Sequence, residues 1–312
     1  MGYGHGYGKV IIFGEHFVVH GLPSIVCAVG MKTTAHVKVL KNKDFTGFEV
    51  EDNRPETPGY KKEKEAQMYK SIANMTNYCG IDLKKTPLKI TFAGDLIAAS
   101  GIGASAAACT AFARAVNDEF KFGFDDHKIN EIAYEGEKGY HGTPSGVDNT
   151  AATFGGCLVF TKGPPPKFEH IKMPSRVEIV MGNTGLTANT QRVVDEVKAR
   201  MKAEPEKFKR IFAEAEEIIK QGRIALEKGD YATAGALMNR NHELLTEIGV
   251  SCRELDTLVE IARQNGAIGA KLTGTGRGGF MVALTPGIEC QNRVARAIEE
   301  NGYTVLKTTI GV

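Results

Sequence analysis

Residues 98–108, Ala-Ala-Ser-Gly-Ile-Gly-Ala-Ser-Ala-Ala-Ala, run directly into an apolar pattern that continues to Phe120. That is a glycine loop feeding a helix. The first turn of a helix carries unpaired N–H groups and a partial positive charge, so it attracts anions. Glycines there let backbone approach a phosphate closely. Ser100, Gly101, Ile102, Gly103, Ala104 and Ser105 form the candidate phosphate cradle, with the Ser105 hydroxyl able to meet a phosphate oxygen or a phosphate-bound Mg²⁺. A stripe of small residues also suits tight helix packing, and the stretch alone does not choose. The loop is neither a Walker A motif, which ends in Gly-Lys-Ser/Thr, nor a dinucleotide fingerprint, which needs a third glycine and a later acid.

A second cluster spans 135–150, Glu-Gly-Glu-Lys-Gly-Tyr-His-Gly-Thr-Pro-Ser-Gly-Val-Asp-Asn-Thr. Glu137 and Asp148 bracket a turn set by Gly142, Pro144 and Gly146. Near a phosphate loop, one carboxylate could hold Mg²⁺ and the other could orient or deprotonate an attacking hydroxyl. A capping aspartate and a surface glutamate would look the same. Two further segments pair charge with glycine. Lys9 precedes an apolar run that ends at Gly14, Glu15 and His16. Lys271-Leu-Thr-Gly-Thr-Gly-Arg-Gly-Gly279 is a second glycine-rich loop. Glycine at such density is costly to order and signals a strained turn or a ligand held against backbone. Two such loops favour a nucleotide enzyme over a binding module.

The elements that must position these residues alternate between strand and helix patterns. Runs at 10–13, 25–29, 33–40, 88–92, 157–160, 177–181, 279–284 and 303–308 read as strands. Helical spacing covers 66–78, 104–120, a segment from Asp125 or Asp126 to about 140, and then 189–203, 205–228, 231–248, 255–265 and 290–301. Residues 52–65, with Pro55 and Pro58, read as a loop. Gly163-Pro-Pro-Pro166 is the strongest punctuation and marks a junction between 162 and 177. The pattern is α+β, with the junction dividing residues 1–170 from residues 171–312.

At 312 residues with 42% hydrophobic and 24% charged side chains, the chain has ample core for one large or two ordinary domains. A formal net charge of +2 makes no electrostatic case for nucleic acid. No apolar run approaches the ~20 residues that span a bilayer, and the first residues do not read as a signal peptide. The six cysteines are scattered without a Cys-x-x-Cys pair, which speaks against zinc or a disulfide scaffold and suits a reducing compartment. Cytoplasm is the expected location, with no nucleic-acid or membrane partner.

Taken together, three segments resemble the GHMP kinase superfamily in order and spacing: 8–21 (Gly-Lys-Val-Ile-Ile-Phe-Gly-Glu-His-Phe-Val-Val-His-Gly), 100–107 (Ser-Gly-Ile-Gly-Ala-Ser-Ala-Ala) and 271–279. Within it, 141–149 (His-Gly-Thr-Pro-Ser-Gly-Val-Asp-Asn) and 238–251 (Met-Asn-Arg-Asn-His-Glu-Leu-Leu-Thr-Glu-Ile-Gly-Val-Ser) are similar to the mevalonate kinases. The resemblance implies a ribosomal protein S5 domain 2-like N-terminal domain and a ferredoxin-like C-terminal domain. It implies ATP- and Mg²⁺-dependent phosphorylation of the C5 hydroxyl of (R)-mevalonate, in isoprenoid precursor biosynthesis. Asp148 would be the base and Lys9 its assistant, Ser105 and Glu137 the Mg²⁺ ligands, and residues 100–105 the ATP cradle. Lys9, Glu15, His16, Asp148 and Thr190 would lie near mevalonate. Ala104 stands where the family usually has serine, which removes one phosphate contact. A homodimer is compatible with the resemblance, and the sequence does not decide it.

Overall fold

A computed structural model describes residues 1–41, 45–99 and 101–311. The chain falls into two compact units, neither of them contiguous. The first comprises Met1–Lys9 and Gly30–Gly155, the second Val10–Val29 and everything from Gly156. Two long strands, β1 (Gly2–Phe13) and β2 (Ser24–Val39), therefore contribute to both.

In the first unit β3 (Phe48–Asp52) runs parallel to β4 (Leu88–Gly94), and β4 runs antiparallel to the second half of β2, from Thr33 opposite Gly94 to Val39 opposite Leu88. Helices α1 (Tyr60–Tyr78), α2 (Ala104–Phe120) and α3 (Asp126–His141) bury Ile72, Met75, Phe112, Val116, Ile129 and Ile132 against Val37, Leu88, Ile90 and Phe92. Asp125 caps α3 by accepting from the Lys128 N–H. A short helix, α4 (Val147–Phe154), completes the unit.

The glycines at the start of the chain explain why β1 begins at Gly2 rather than near Val10. A Cβ at Gly2, Gly4 or Gly6 would lie 2.1, 2.3 and 2.3 Å from the carbonyl oxygens of Ala115, Ala111 and Ala107. Alternate residues of a strand face one way, and residues four apart share a helix face. The Gly-x-Gly-x-Gly run and the alanines of α2 are thus two halves of one backbone-to-backbone contact.

In the second unit the first half of β2 pairs with β5 (Cys157–Thr161), which pairs with β6 (Lys167–Ile171). Beyond β7 (Val177–Asn183) come α5 (Thr190–Ala203), α6 (Pro205–Lys228), α7 (Tyr231–Glu247) and α8 (Arg253–Gln264). Then follow β8 (Gly269–Leu272), β9 (Phe280–Leu284), α9 (Ile288–Glu300) and β10 (Thr304–Ile310). The strand order β10-β7-β9-β8, all antiparallel, is the 4-1-3-2 arrangement of a ferredoxin-like fold. One expectation about the cysteines needs correction. Cys27 and Cys157 sit directly opposite each other in β2 and β5 and are joined as a disulfide. Spacing in sequence carries no hint of a pairing created by strand register.

Candidate active site

The candidate phosphate loop is built as its composition requires. Gly101 and Gly103 have φ of 94° and 71°, values that L side chains rarely adopt, and Gly103 precedes the first turn of α2. The loop is held from β1: the Lys9 N–H donates to the Ile102 carbonyl at 2.9 Å. A Cβ on Gly103 would lie 2.7 Å from Lys9 Cγ, so the lysine stem runs directly over this glycine. On α2 the Ala104 carbonyl accepts from Arg54 Nη1 at 3.3 Å, and Arg54 is itself gripped by both carboxylate oxygens of Asp52. Ser100 lies outside the described residues.

Lys9 is buried, and its Nζ lies 3.2 Å from Asp148 Oδ1. Asp148 is on the first turn of α4, not in a loop as the glycine and proline punctuation suggests. Gly146, at φ 88°, starts that helix, and Asn149 anchors it through Asn130 Oδ1 at 2.7 Å. A carboxylate in a first turn meets the positive end of the helix dipole. Asp148 keeps about a third of its side chain exposed, so it is the accessible member of the pair.

Glu137, on α3, is 1% exposed. Burial pushes its carboxyl up to about 8, the neighbouring Asp148 charge adds to that, and Ser105 and Lys9 pull the other way. Its other contacts are Cys109 Sγ at 3.9 Å and His141 Nε2 at 3.8 Å. His141 also reaches Ser105 Oγ at 3.5 Å. A buried carboxylate that resists ionisation in this way is suited to a cation. Two oxygen donors, Ser105 and Glu137, match the few protein ligands that Mg²⁺ takes when phosphates and water complete its shell. Among the described residues no group of three or more His, Cys, Asp or Glu side chains could hold a metal. Ser105 and Glu137 are oxygen donors of the kind a hard divalent cation takes.

The second unit gathers the remaining candidates around the loop 273–279. Glu15 follows Gly14, whose φ is 97°, and its carboxylate is ion-paired with Lys271 in full burial. Lys271 also donates to the Leu272 carbonyl at 2.7 Å. His16, at φ 61°, donates from Nε2 to the Thr275 carbonyl at 2.7 Å, which leaves Nδ1 as an acceptor. Desolvation lowers the His16 pKa to about 4, so the ring is neutral near pH 7. Thr190, the first residue of α5, shares a hydrogen bond of 2.8 Å between its hydroxyl and that of Thr275. The first unit thus brings together Lys9, the phosphate loop, Ser105, Glu137 and Asp148. The second brings together Glu15, His16 and Thr190. Sequence reasoning singled out neither Arg54 and Asp52, which fall in an expected loop, nor His141, although that histidine stands inside the 141–149 motif.

Comparison with known proteins agrees with this construction. The GHMP kinase N-terminal domain model matches residues 66–156, and the GHMP kinase C-terminal model matches 223–304. A mevalonate kinase of Pyrococcus abyssi is 33% identical over 97% of this chain and 93% of its own length. The chain belongs to the mevalonate kinase family. The mevalonate kinase of Pyrococcus horikoshii is similar at 34% identity over the same shares. Among solved structures, L. major mevalonate kinase in complex with R-mevalonate superposes with a TM-score of 0.94 at 39% identity, over 99% of this chain and 96% of that one. As a mevalonate kinase, the chain carries both halves of the GHMP kinase fold. Among the described residues, no helix is long and apolar enough to cross a membrane.

Proposed function

We propose that this enzyme transfers the γ-phosphoryl group of ATP to the C5 hydroxyl of (R)-mevalonate, with Asp148 as the base and Lys9 assisting. The observation that carries the reading is the 3.2 Å Lys9–Asp148 pair beside a phosphate loop that the same lysine's backbone holds. Lys9, held against the carboxylate, can stabilise negative charge developing on the hydroxyl oxygen. Asp148, partly exposed, accepts the hydroxyl proton. Gly101, Ile102, Gly103, Ala104 and Ser105, with Ser100 before them, cradle the ATP phosphates at the N-terminus of α2. Ser105 and Glu137 would hold Mg²⁺, which supplies charge neutralisation for the β- and γ-phosphates. Glu15, His16 and Thr190 lie on the mevalonate side. On this reading residues 1–170 bear the nucleotide and the catalytic pair, 171–312 form the C-terminal domain, and the enzyme works in the cytoplasm.

ADP release from ATP and Mg²⁺ with mevalonate, phosphomevalonate and galactose in parallel tests the acceptor. Turnover with mevalonate alone is expected, and turnover only with another acceptor would refute the assignment. Asp148→Asn should lower kcat by about 10²–10⁴, the range for a lost general base, with ATP affinity retained. Near-normal turnover in that variant would remove Asp148 from the role.

A further inference from the structure

The segment 238–251 is similar to mevalonate kinases, yet the reaction assigns it no task. It lies on α7 and the turn beyond, and two of its polar residues, Asn239 and His242, face β8. Among the described residues that strand is the last in its sheet and pairs with β9 alone. An edge strand of four residues leaves alternate amides without ladder partners. Here side chains take the place of a neighbouring strand. The Ala270 N–H donates to Asn239 Oδ1 at 2.9 Å and the Leu272 N–H donates to His242 Nδ1 at 3.3 Å. His242 Nε2 lies 3.2 Å from Asp256 Oδ1 on α8, so the ring proton sits on Nε2 and Nδ1 is free to accept. Asp256 is in turn fixed by the Ser251 hydroxyl.

Backbone proximity makes this reach available. A Cβ on Gly235 would lie 2.4 Å from the Ile268 carbonyl oxygen, and one on Gly269 would lie 2.3 Å from that of Gly235. Gly235, Asn239 and His242 are spaced to share one face of α7. The helix presses on the strand through two glycines and reads its amides with the next two turns.

What β8 carries gives the contact its meaning. Lys271 pairs with Glu15. The Thr273 hydroxyl accepts from the Ile11 N–H and donates to the Ile11 carbonyl, each at 3.1 Å. Thr275 holds both His16 and Thr190. The 271–279 segment therefore grips the 8–21 segment at three points. A one-residue slip of β8 would turn Lys271 to the opposite face and shift the loop that follows, carrying Thr273 and Thr275 away from their partners.

We infer that Asn239 and His242 are positioning residues for acceptor binding, fixing the register of β8 so that Lys271, Thr273 and Thr275 hold Glu15, Ile11 and His16 in place. The inference rests on the assignment of Glu15, His16 and Thr190 to the mevalonate side. It is tested on the full chain with His242→Ala, His242→Asn and Asn239→Ala, reading KM for mevalonate, KM for ATP, kcat and amide hydrogen exchange over residues 269–279. His242→Ala should raise KM for mevalonate about tenfold, leave KM for ATP within about twofold, and speed exchange at Leu272. His242→Asn, whose Oδ1 can replace Nδ1 as acceptor, should recover most of both losses. A uniform fall in kcat with unchanged KM values, or an asparagine variant as impaired as alanine, overturns the inference. Should His242→Ala fail to fold, Asn239→Ala removes only the Ala270 contact and must show the same split in a smaller degree. If the wild-type chain does not phosphorylate mevalonate, the assignment of the reaction fails on its own. Leu272 exchange in the variants then decides whether the clamp exists.

Discussion

Glu137→Gln separates the electrostatic cost of the buried carboxylate from its use. Folding raises this carboxyl from an ordinary 4.5 to about 8, chiefly through burial, with Asp148 contributing. The folded protein thus binds the Glu137 proton more tightly than the unfolded chain does. Its contribution is fully present below pH 4.5 and is lost as pH rises toward 8. At about 1.4 kcal/mol per pH unit, the whole span corresponds to about 5 kcal/mol, of which roughly 3–4 kcal/mol falls between pH 5 and pH 8. Glutamine has nearly the same shape and no charge to bury. Urea unfolding of wild type and Glu137→Gln in half-unit steps from pH 5 to 8, without nucleotide or divalent cation, should give curves that diverge steadily, with the variant the more stable at pH 8. Adding ATP and Mg²⁺ should reverse the order, because a ligand that binds only the folded state stabilises it by mass action and the variant lacks one cation ligand. Parallel curves without ligand would refute the burial argument. An undiminished stabilisation of the variant by ATP and Mg²⁺ would refute Glu137 as a ligand.

Two further substitutions test the loops. Gly103→Ala places a side chain at φ 71° and a Cβ 2.7 Å from Lys9 Cγ. The backbone strain should cost about 1 kcal/mol, seen as a small drop in Tm. Displacement of Lys9 from Asp148 should lower kcat by at least about tenfold, and wild-type kcat in this variant would deny the packing of that lysine over the loop. Lys271→Met leaves the Glu15 carboxylate buried without its partner and should cost about 3–5 kcal/mol in chemical unfolding. The double variant Glu15→Gln with Lys271→Met should recover much of that loss. Additive destabilisation would show that the two side chains are not coupled.

Much of the local structure was legible in the residues. Helical spacing over 104–120 and 205–228 coincides with α2 and α6, and Asp125 and Asp230 cap α3 and α7, each accepting from an amide three residues on. These features are local: side-chain periodicity and a capping carboxylate act within a turn or two. The glycine loops declared themselves for the same reason, since the strain they relieve belongs to their own backbone. The superfamily was likewise readable, because its three motifs keep their order along the chain.

Only tertiary structure decided the rest. The first strand extends back from residue 10 to Gly2, and Gly2, Gly4 and Gly6 let it lie against the alanine face of α2 without Cβ atoms between. Asp148 lies in a helix that Pro144 and Gly146 conceal from a reading by punctuation. Glu15 and Lys271, 256 positions apart, neutralise each other in the interior, and Cys27 meets Cys157 through strand register. Residue types and spacing determined which groups could do chemistry. Which of them are buried, paired or left exposed follows from contacts between segments far apart in the chain, where desolvation and Coulomb attraction act across space and leave no periodic trace in the sequence.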